Sequence, residues 1–237
     1  MENASYTALT RQSGLMREMS VIANNIANAN TTGYRQEGLV FSEVVQKVQG
    51  APSLSMATAR ARATSLQSGT MTQTGGPLDV AIDGQGFFLI QTPSGERLSR
   101  AGHFLPNAQG DLVTPDGHAV LDAGGAPLFV PRGVGVISIA PDGTMSADDQ
   151  LLGQIGIVRP SAGTQIIRDD GVHFRADGPI EPSFDARIRQ GFLEGSNVDP
   201  MTQIARMIEV QRAYEMGQSF AESENERIRN AMRTIIK

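Results

Sequence analysis

The sequence predicts an α+β fold: paired long N- and C-terminal α-helices in a coiled-coil-like domain, with an intervening all-β domain of short antiparallel strands. Three observations carry this. Apolar residues recur at heptad spacing in the first and last stretches, glycine and proline crowd the middle, and five Asp-Gly pairs punctuate that middle. The expected boundaries are an N-terminal helix over 1–33, an extended connector over 34–75, a β-domain over 76–190, and a return segment with the C-terminal helix over 191–237.

In the first helix Leu9, Met16 and Ala23 recur at seven residues, Met19 and Ile26 form a second row, and Leu15 and Ile22 widen the stripe. A continuous helix from Ala4 to Asn30 would be ~40 Å long. It should stop at Thr31-Thr32-Gly33, where Gly33 suits a left-handed cap. Four asparagines lie at its end in Asn24-Asn25-Ile26-Ala27-Asn28-Ala29-Asn30. Asn is roughly 0.6 kcal/mol per residue worse than Ala in a helix. Two accounts fit: the helix frays into a turn capped by Asn30 and Gly33, or asparagines hydrogen-bond across a helix interface and set its register.

Beyond Gly33 the composition turns small and polar, as in Ala57-Thr58-Ala59-Arg60-Ala61-Arg62-Ala63, which reads as a connector. Phe41 to Val45 is its one stretch with compact character. Of 26 glycines, 21 then fall between Gly69 and Gly195, and ten of twelve prolines between Pro77 and Pro182. Asp83-Gly84, Asp116-Gly117, Asp142-Gly143, Asp170-Gly171 and Asp177-Gly178 read as type I′ hairpin turns. Between them, Leu78–Ile82, Phe87–Gln91, Val134–Ile139 and Ile155–Val158 read as strands.

The last helix opens with Asp199 as N-cap and Pro200 at the first helical position. Ile204, Gln211, Gln218, Asn225 and Met232 form one seven-residue row, and Met207, Tyr214, Ala221, Ile228 and Ile235 another. The expected packing set is Ile22, Ile26 and Met19 against Ile204, Met207, Ile208 and Tyr214, with Asn24, Asn28 and Gln211 setting register.

Composition narrows the function. A formal charge of −5 argues against nucleic acid as a general partner. No apolar run approaches the ~20 residues that span a bilayer, so membrane insertion is not expected. The start lacks a basic n-region and Arg11, Arg17 and Glu18 interrupt any apolar core, so no signal peptide is expected. Cysteine is absent, which removes disulfides, thiol nucleophiles and thiolate metal ligands. His103, His118 and His173 fall in separate turn-rich stretches without metal-ligand spacing, and read as surface or hairpin residues. Gly84-Gln85-Gly86 lacks the third glycine and following helix of a dinucleotide fingerprint. No catalytic, metal or cofactor site is expected.

Residues Ala23 to Tyr34 resemble the N-terminal signature of bacterial flagellar rod and hook proteins, the family's ANNxANxxTxGY/F pattern. Gly195-Ser196-Asn197-Val198-Asp199 followed by Met207 to Glu215, with Gln211 and Arg212 inside it, is similar to that family's SNVD…MIxxQRAYE block. Leu78 to Phe88, Ser99 to Phe104 and Asn107 to Thr114 resemble its shared β-segment, so the matches cover nearly the whole chain in the family's order. Length and the opening residues resemble the proximal-rod member more than the distal-rod member. The resemblance implies a non-enzymatic axial component of the basal body. Such a subunit is exported uncleaved through the flagellar type III apparatus and polymerises in the periplasm with itself, proximal-rod subunits below and the distal-rod protein above. It also implies that the terminal helices form an inner assembly domain around the export channel and that the β-domain lies outside. The residues alone leave two other classes: a secreted β-rich module binding cell wall, and an enzyme using Asp142 with Asp148 or Asp149.

Overall fold

Caps and apolar spacing give the chain one helix at each end. In the computed structural model, which describes residues 2–46, 54–148 and 150–235, α1 spans Glu2–Ala27 and α2 spans Pro200–Ile235. Side-chain surroundings are described at 9–40, 62–148, 150–227 and 229–233. Asp199 closes the first turn of α2: its carboxylate accepts from Met201 N at 3.1 Å and from Thr202 Oγ1 at 2.5 Å. None of the helices among the described residues is long and apolar enough to cross a membrane.

The chain divides into two compact units: residues 1–27, 37–65 and 199–237, and residues 28–36 and 66–198. In the first unit the stretch read as an extended connector forms a hairpin of β1 (Glu37–Gln46) and β2 (Leu54–Thr64). Its register runs from Glu37 opposite Thr64 to Gln46 opposite Leu54, with an irregularity after Val40. The alternating small and polar residues of 57–63 have the period of a strand, and lack only the large apolar residues that usually announce one. Side chains of Phe41–Val45 lie outside the described residues.

The coiled-coil-like pairing does not hold. The structure has a single helix at each end of a large β-rich middle, and α1 packs on the β1–β2 hairpin as well as on α2. The expected seam is largely in water: Ile204, Gln211, Gln218, Asn225 and Met232 on α2, and Leu9, Met16 and Ala23 on α1, are exposed. Met207, Tyr214, Ala221, Met19 and Ile26 are half-buried, and the side chains of Ile228 and Ile235 lie outside the described residues. The buried positions are Gly14, Val21, Ile22 and Asn25 on α1 and Gln203 and Val210 on α2. The reason lies in the amides of the expected row. Gln211 donates to Glu215 at 3.1 Å and Gln218 to Glu222 at 3.2 Å, each one turn along its own helix, so burial would gain them nothing.

In the second unit the chain forms β3 (Met71–Gln73), β4 (Val80–Asp83), β5 (Phe87–Thr92) and β6 (Gly95–Ser99). Short strands β7 (Leu105–Pro106), β8 (Leu112–Val113) and β9 (Ala119–Val120) follow, then a meander of β10 (Ile137–Ile139), β11 (Thr144–Ala147) and β12 (Gln150–Gln154). The chain continues through β13 (Ile157–Pro160), β14 (Gln165–Asp170), β15 (His173–Asp177) and β16 (Ile180–Pro182). It ends in β17 (Arg187–Gln190) and β18 (Phe192–Glu194). All the pairings are antiparallel. β5 is the hub, bonded to β6, β9 and β13, while β17 returns to β4 and β18 to β3.

Alternation along β5 builds two cores. Phe88 and Ile90 join Val80, Ile82, Val120 and Ile157 on one side. Phe87 and Leu89 join Leu98, Leu121, Val158 and Phe174 on the other. A strand covered on both faces reads as an unbroken apolar run, here Phe-Phe-Leu-Ile.

The Asp-Gly turns differ from the expected type. Their glycines have positive φ, but Asp148 is the one non-glycine residue with positive φ among those described, so none is type I′. In Ala140-Pro141-Asp142-Gly143 and Thr114-Pro115-Asp116-Gly117 the glycine N–H donates to the first carbonyl at 2.9 Å. Proline at the second position fixes φ near −65°, and because the aspartate at the third position does not have positive φ the turn is type I, with glycine taking the left-handed fourth place.

Phe88 is fully buried, its ring edge-on to Phe104 at 5.2 Å. Phe88→Ala should lower the unfolding free energy by about 3–5 kcal/mol in urea titration. A loss below about 1 kcal/mol would mean that this core is not close-packed around it.

Candidate functional site

Two polar constellations stand out, one in each unit, and both are built on motif residues. In the helical unit Asn25 is 1% exposed. Its Nδ2 donates to Glu37 O at 2.8 Å and Gln203 Oε1 at 3.1 Å, and its Oδ1 accepts from Glu37 N at 3.0 Å. One amide thus ties α1 to the first residue of β1 and to α2. Only an amide supplies donors and an acceptor at that site; a carboxylate could not donate to either oxygen. The buried Glu37 carboxylate meets the Arg62 guanidinium at 3.4 Å, and Arg206 on α2 reaches Glu18 on α1 at 2.7 Å.

The expected register-setters lie elsewhere. Asn24 and Asn30 are exposed, and Asn28 is half-buried, accepting from Thr31 Oγ1 at 3.1 Å within the turn after α1. Ile22 is buried beside this helical site's sequence position, whereas Ile208 and Arg212 are exposed on α2. Sequence reasoning singled out the asparagine run but not which member turns inward. Helical phase held the signal: Asn25 lies three and four residues from Ile22 and Val21.

In the β-unit the segment after α1 is clamped to the segment before α2. Gly33 N donates to Glu194 O at 2.8 Å, Asn197 N to Tyr34 O at 3.3 Å, and Gln36 N to Asn197 Oδ1 at 2.6 Å. Asn197 Nδ2 donates to Gln67 O at 2.8 Å, so a third segment joins the clamp. Gly33 has φ +70°, and a Cβ there would sit 2.2 Å from Ala101 N, so no other residue fits. Thr32, beside it, is half-buried.

At the centre is Glu194, with no exposed surface. Its Oε1 lies 2.8 Å from Arg35 Nη2 and accepts from Gly69 N at 2.8 Å, and its Oε2 accepts from Arg100 Nη1 at 3.0 Å. Arg100 also donates to Ile82 O at 3.0 Å and Gly84 O at 2.6 Å, and Arg35 donates to Gln67 O. Burial pulls Arg35 below its ordinary range and Arg100 down to about 10, against the attraction of Glu194 in both cases. Arg168 donates to Arg35 O, with its guanidinium 4.4 Å from the Tyr34 ring centre and 4.8 Å from that of Phe174. Sequence reading missed this cluster. Its signal was Arg100 inside a family-like segment, and Glu194 among the glycine and apolar residues of Gly191-Phe192-Leu193-Glu194-Gly195.

The histidines are not scattered. His103 and His173 line one cavity of about 370 Å³ with Thr31, Thr32 and Asp116, and the His118 ring lies 5.5 Å from that of His173. Among the described residues no group of histidine and carboxylate side chains is placed to hold a metal ion. Asp142 is engaged by Thr144 N and Oγ1, both at 2.9 Å, which hold its carboxyl below the usual range, and Asp148 accepts from Gly135 N at 2.9 Å. Asp149 lies outside the described residues.

Replacing Glu194 by Ala would leave two buried guanidiniums without their carboxylate. The unfolding free energy should fall by about 3–5 kcal/mol in chemical denaturation. A loss under about 1 kcal/mol would show that the cluster contributes little.

Three family models match successive parts of the chain. The flagella basal body rod protein model covers residues 6–35, the flagellar hook protein FlgE/F/G D1 domain 81–147, and the flagellar basal body rod FlgEFG protein C-terminal 189–234. The flagellar basal-body rod protein FlgF of Caulobacter vibrioides is 38% identical over 243 residues, spanning 100% of this chain and 99% of that protein. FlgF of Mesorhizobium japonicum is 39% identical over 218 residues, 91% of this chain and 90% of its own. The rod protein FlgG of Agrobacterium fabrum is 36% identical over 88% of this chain. With its N-terminal motif, β-segment and C-terminal block all matched, the chain belongs to the flagellar basal-body rod proteins, on the FlgF branch of that family.

Proposed function

We propose that the chain is a structural subunit of the proximal rod, polymerising helically with copies of itself and with other rod proteins to transmit torque from motor to hook. The observation that carries this reading is similarity to FlgF proteins along the whole chain. The family is structural, not enzymatic. In the same proposal the subunit reaches the periplasm through the flagellar type III export apparatus, and its helical unit encloses the export channel as the inner assembly domain.

The helical unit supports the assembly reading physically. Ile204, Ile208, Met216 and Phe220 on α2 and Leu9 and Met16 on α1 are exposed, a length of apolar surface that water solvates poorly. Val21, Ile22 and Val210, with the Asn25–Gln203 bond, hold the helices from within, so the outer residues remain for neighbouring copies.

Ile208→Asp should change folding stability by no more than about 0.5 kcal/mol, because the side chain is already exposed. Rod incorporation and swimming should nonetheless be lost, read by basal-body fractionation and soft-agar motility. Normal incorporation of a stably folded variant would remove this face from the assembly surface.

Electron microscopy of basal bodies from a strain lacking the chain tests the function itself. The expected image is a rod that stops short and carries no hook, restored by the wild-type copy. An intact rod with a hook would overturn the proximal-rod reading.

A further inference from the structure

The rod reading leaves one feature of the β-unit without a role: His103 and His173 line one cavity, and the His118 ring packs against that of His173. His173 is buried at the start of β15, paired to Ser99 of β6 and to Asp170 of β14. His118 approaches it from the turn between β8 and β9, with ring centres 5.5 Å apart and planes at 52°. His103 forms another part of the lining, its Nδ1 held by Asp79 Oδ1 at 2.5 Å. Thr31 and Thr32, from the family-like N-terminal motif, complete the wall near them.

We propose that the His118–His173 pair is an acid-sensitive latch: while both rings are neutral they hold the 114–118 turn against the β14–β15 hairpin, and protonation drives them apart and loosens the cavity lined by Thr31 and Thr32. Two imidazolium ions at this spacing in a partly dry site repel, so at most one ring takes a proton without the contact opening.

The surrounding charges decide how sharply the latch responds. Asp116 from the turn and Asp170 from β14 attract a proton to His173, while Arg97 from β6 opposes it. Arg97 is tied to Asp169 at 2.6 Å, which blunts its effect. Of the other charges on these strands, Arg168 stacks on the rings of Tyr34 and Phe174, while Glu96 on β6 and Arg175 and Asp177 on β15 are exposed to solvent. Burial and then His118 outweigh the two carboxylates and hold His173 below its ordinary value of 6.5. A histidine lowered in the folded state binds more protons when unfolded. Its contribution to stability is therefore complete above about pH 6.5 and is lost as the pH falls beneath that value.

The test uses the full chain in solution, so its outcome is independent of rod assembly. Chemical denaturation between about pH 7 and about pH 5 should show the unfolding equilibrium constant rising up to about ten-fold per pH unit more in the wild type than in His173→Gln. In parallel, NMR titration of the wild-type imidazoles should place the His173 midpoint below that of an ordinary histidine, and His118→Gln should move it upward. If His173→Gln does not fold, the half-buried His118→Gln and the wild-type titration decide. Equal pH slopes in wild type and both variants, or a His173 midpoint that His118→Gln leaves in place, would overturn the latch.

Discussion

A carboxylate with no access to water, Glu194, is the constraint on which the β-unit's organisation rests. Its main-chain oxygen receives Gly33 and its side chain receives Arg35, Arg100 and Gly69, so four residues from three separated segments converge on it. Two guanidiniums against one carboxylate leave the cluster net positive, and burial taxes every member. An apolar cluster of the same volume would be at least as stable. What the charges add is directionality. Arg100 reaches Ile82 O and Gly84 O while holding Glu194, and Arg35 reaches Gln67 O, so the cluster also satisfies carbonyls at strand ends that no ladder pairs. Greasy packing could not do that.

The helical unit solves a related problem with a neutral group. A hairpin begins at Glu37, and the first residue of a strand needs partners for both its N–H and its C=O. Asn25 supplies both from α1, acting as an extra peptide unit beside the strand, and uses its remaining donor on Gln203. Val21 and Ile22 exclude water one turn earlier. An unsatisfied amide there would cost about 1–3 kcal/mol, so substitution at Asn25 is felt by three elements together.

Much of this architecture was legible in the sequence, and the misses share a cause. The helix at each end, the β-rich middle and the cap at Asp199 follow from local rules that need no partner: periodicity, turn residues and side-chain capping. The seam went wrong because heptad spacing states which residues share a face but not what covers it. Ile204 and Met207 recur correctly, yet the face that turns inward is centred one position away, on Gln203 and Val210. The hairpin over 37–64 was read as a connector because its strands are built from alanine, threonine and arginine rather than large apolar residues. The histidines were judged separately because sequence distance hides what antiparallel pairing brings together, as when β15 places His173 opposite Ser99. At Pro141-Asp142-Gly143 the signal was adjacent: proline fixes its own φ near −65°, which suits the second position of a type I turn and so puts Asp142 third and Gly143 fourth.

The two polar sites also explain why so much apolar surface on the helices stays exposed. A subunit that assembles with other rod proteins, as proposed, cannot use all its large side chains to fix its own geometry, because some of them must wait for neighbours. Its internal joints must then be small and directional, and Asn25 with Gln203 meets that need with one amide pair. On this reasoning exposed Ile208 and Phe220 are the counterpart of buried Asn25 rather than a defect in packing. The polar joint gives the helical unit one arrangement, and that arrangement presents the apolar face on which the proposed polymer depends.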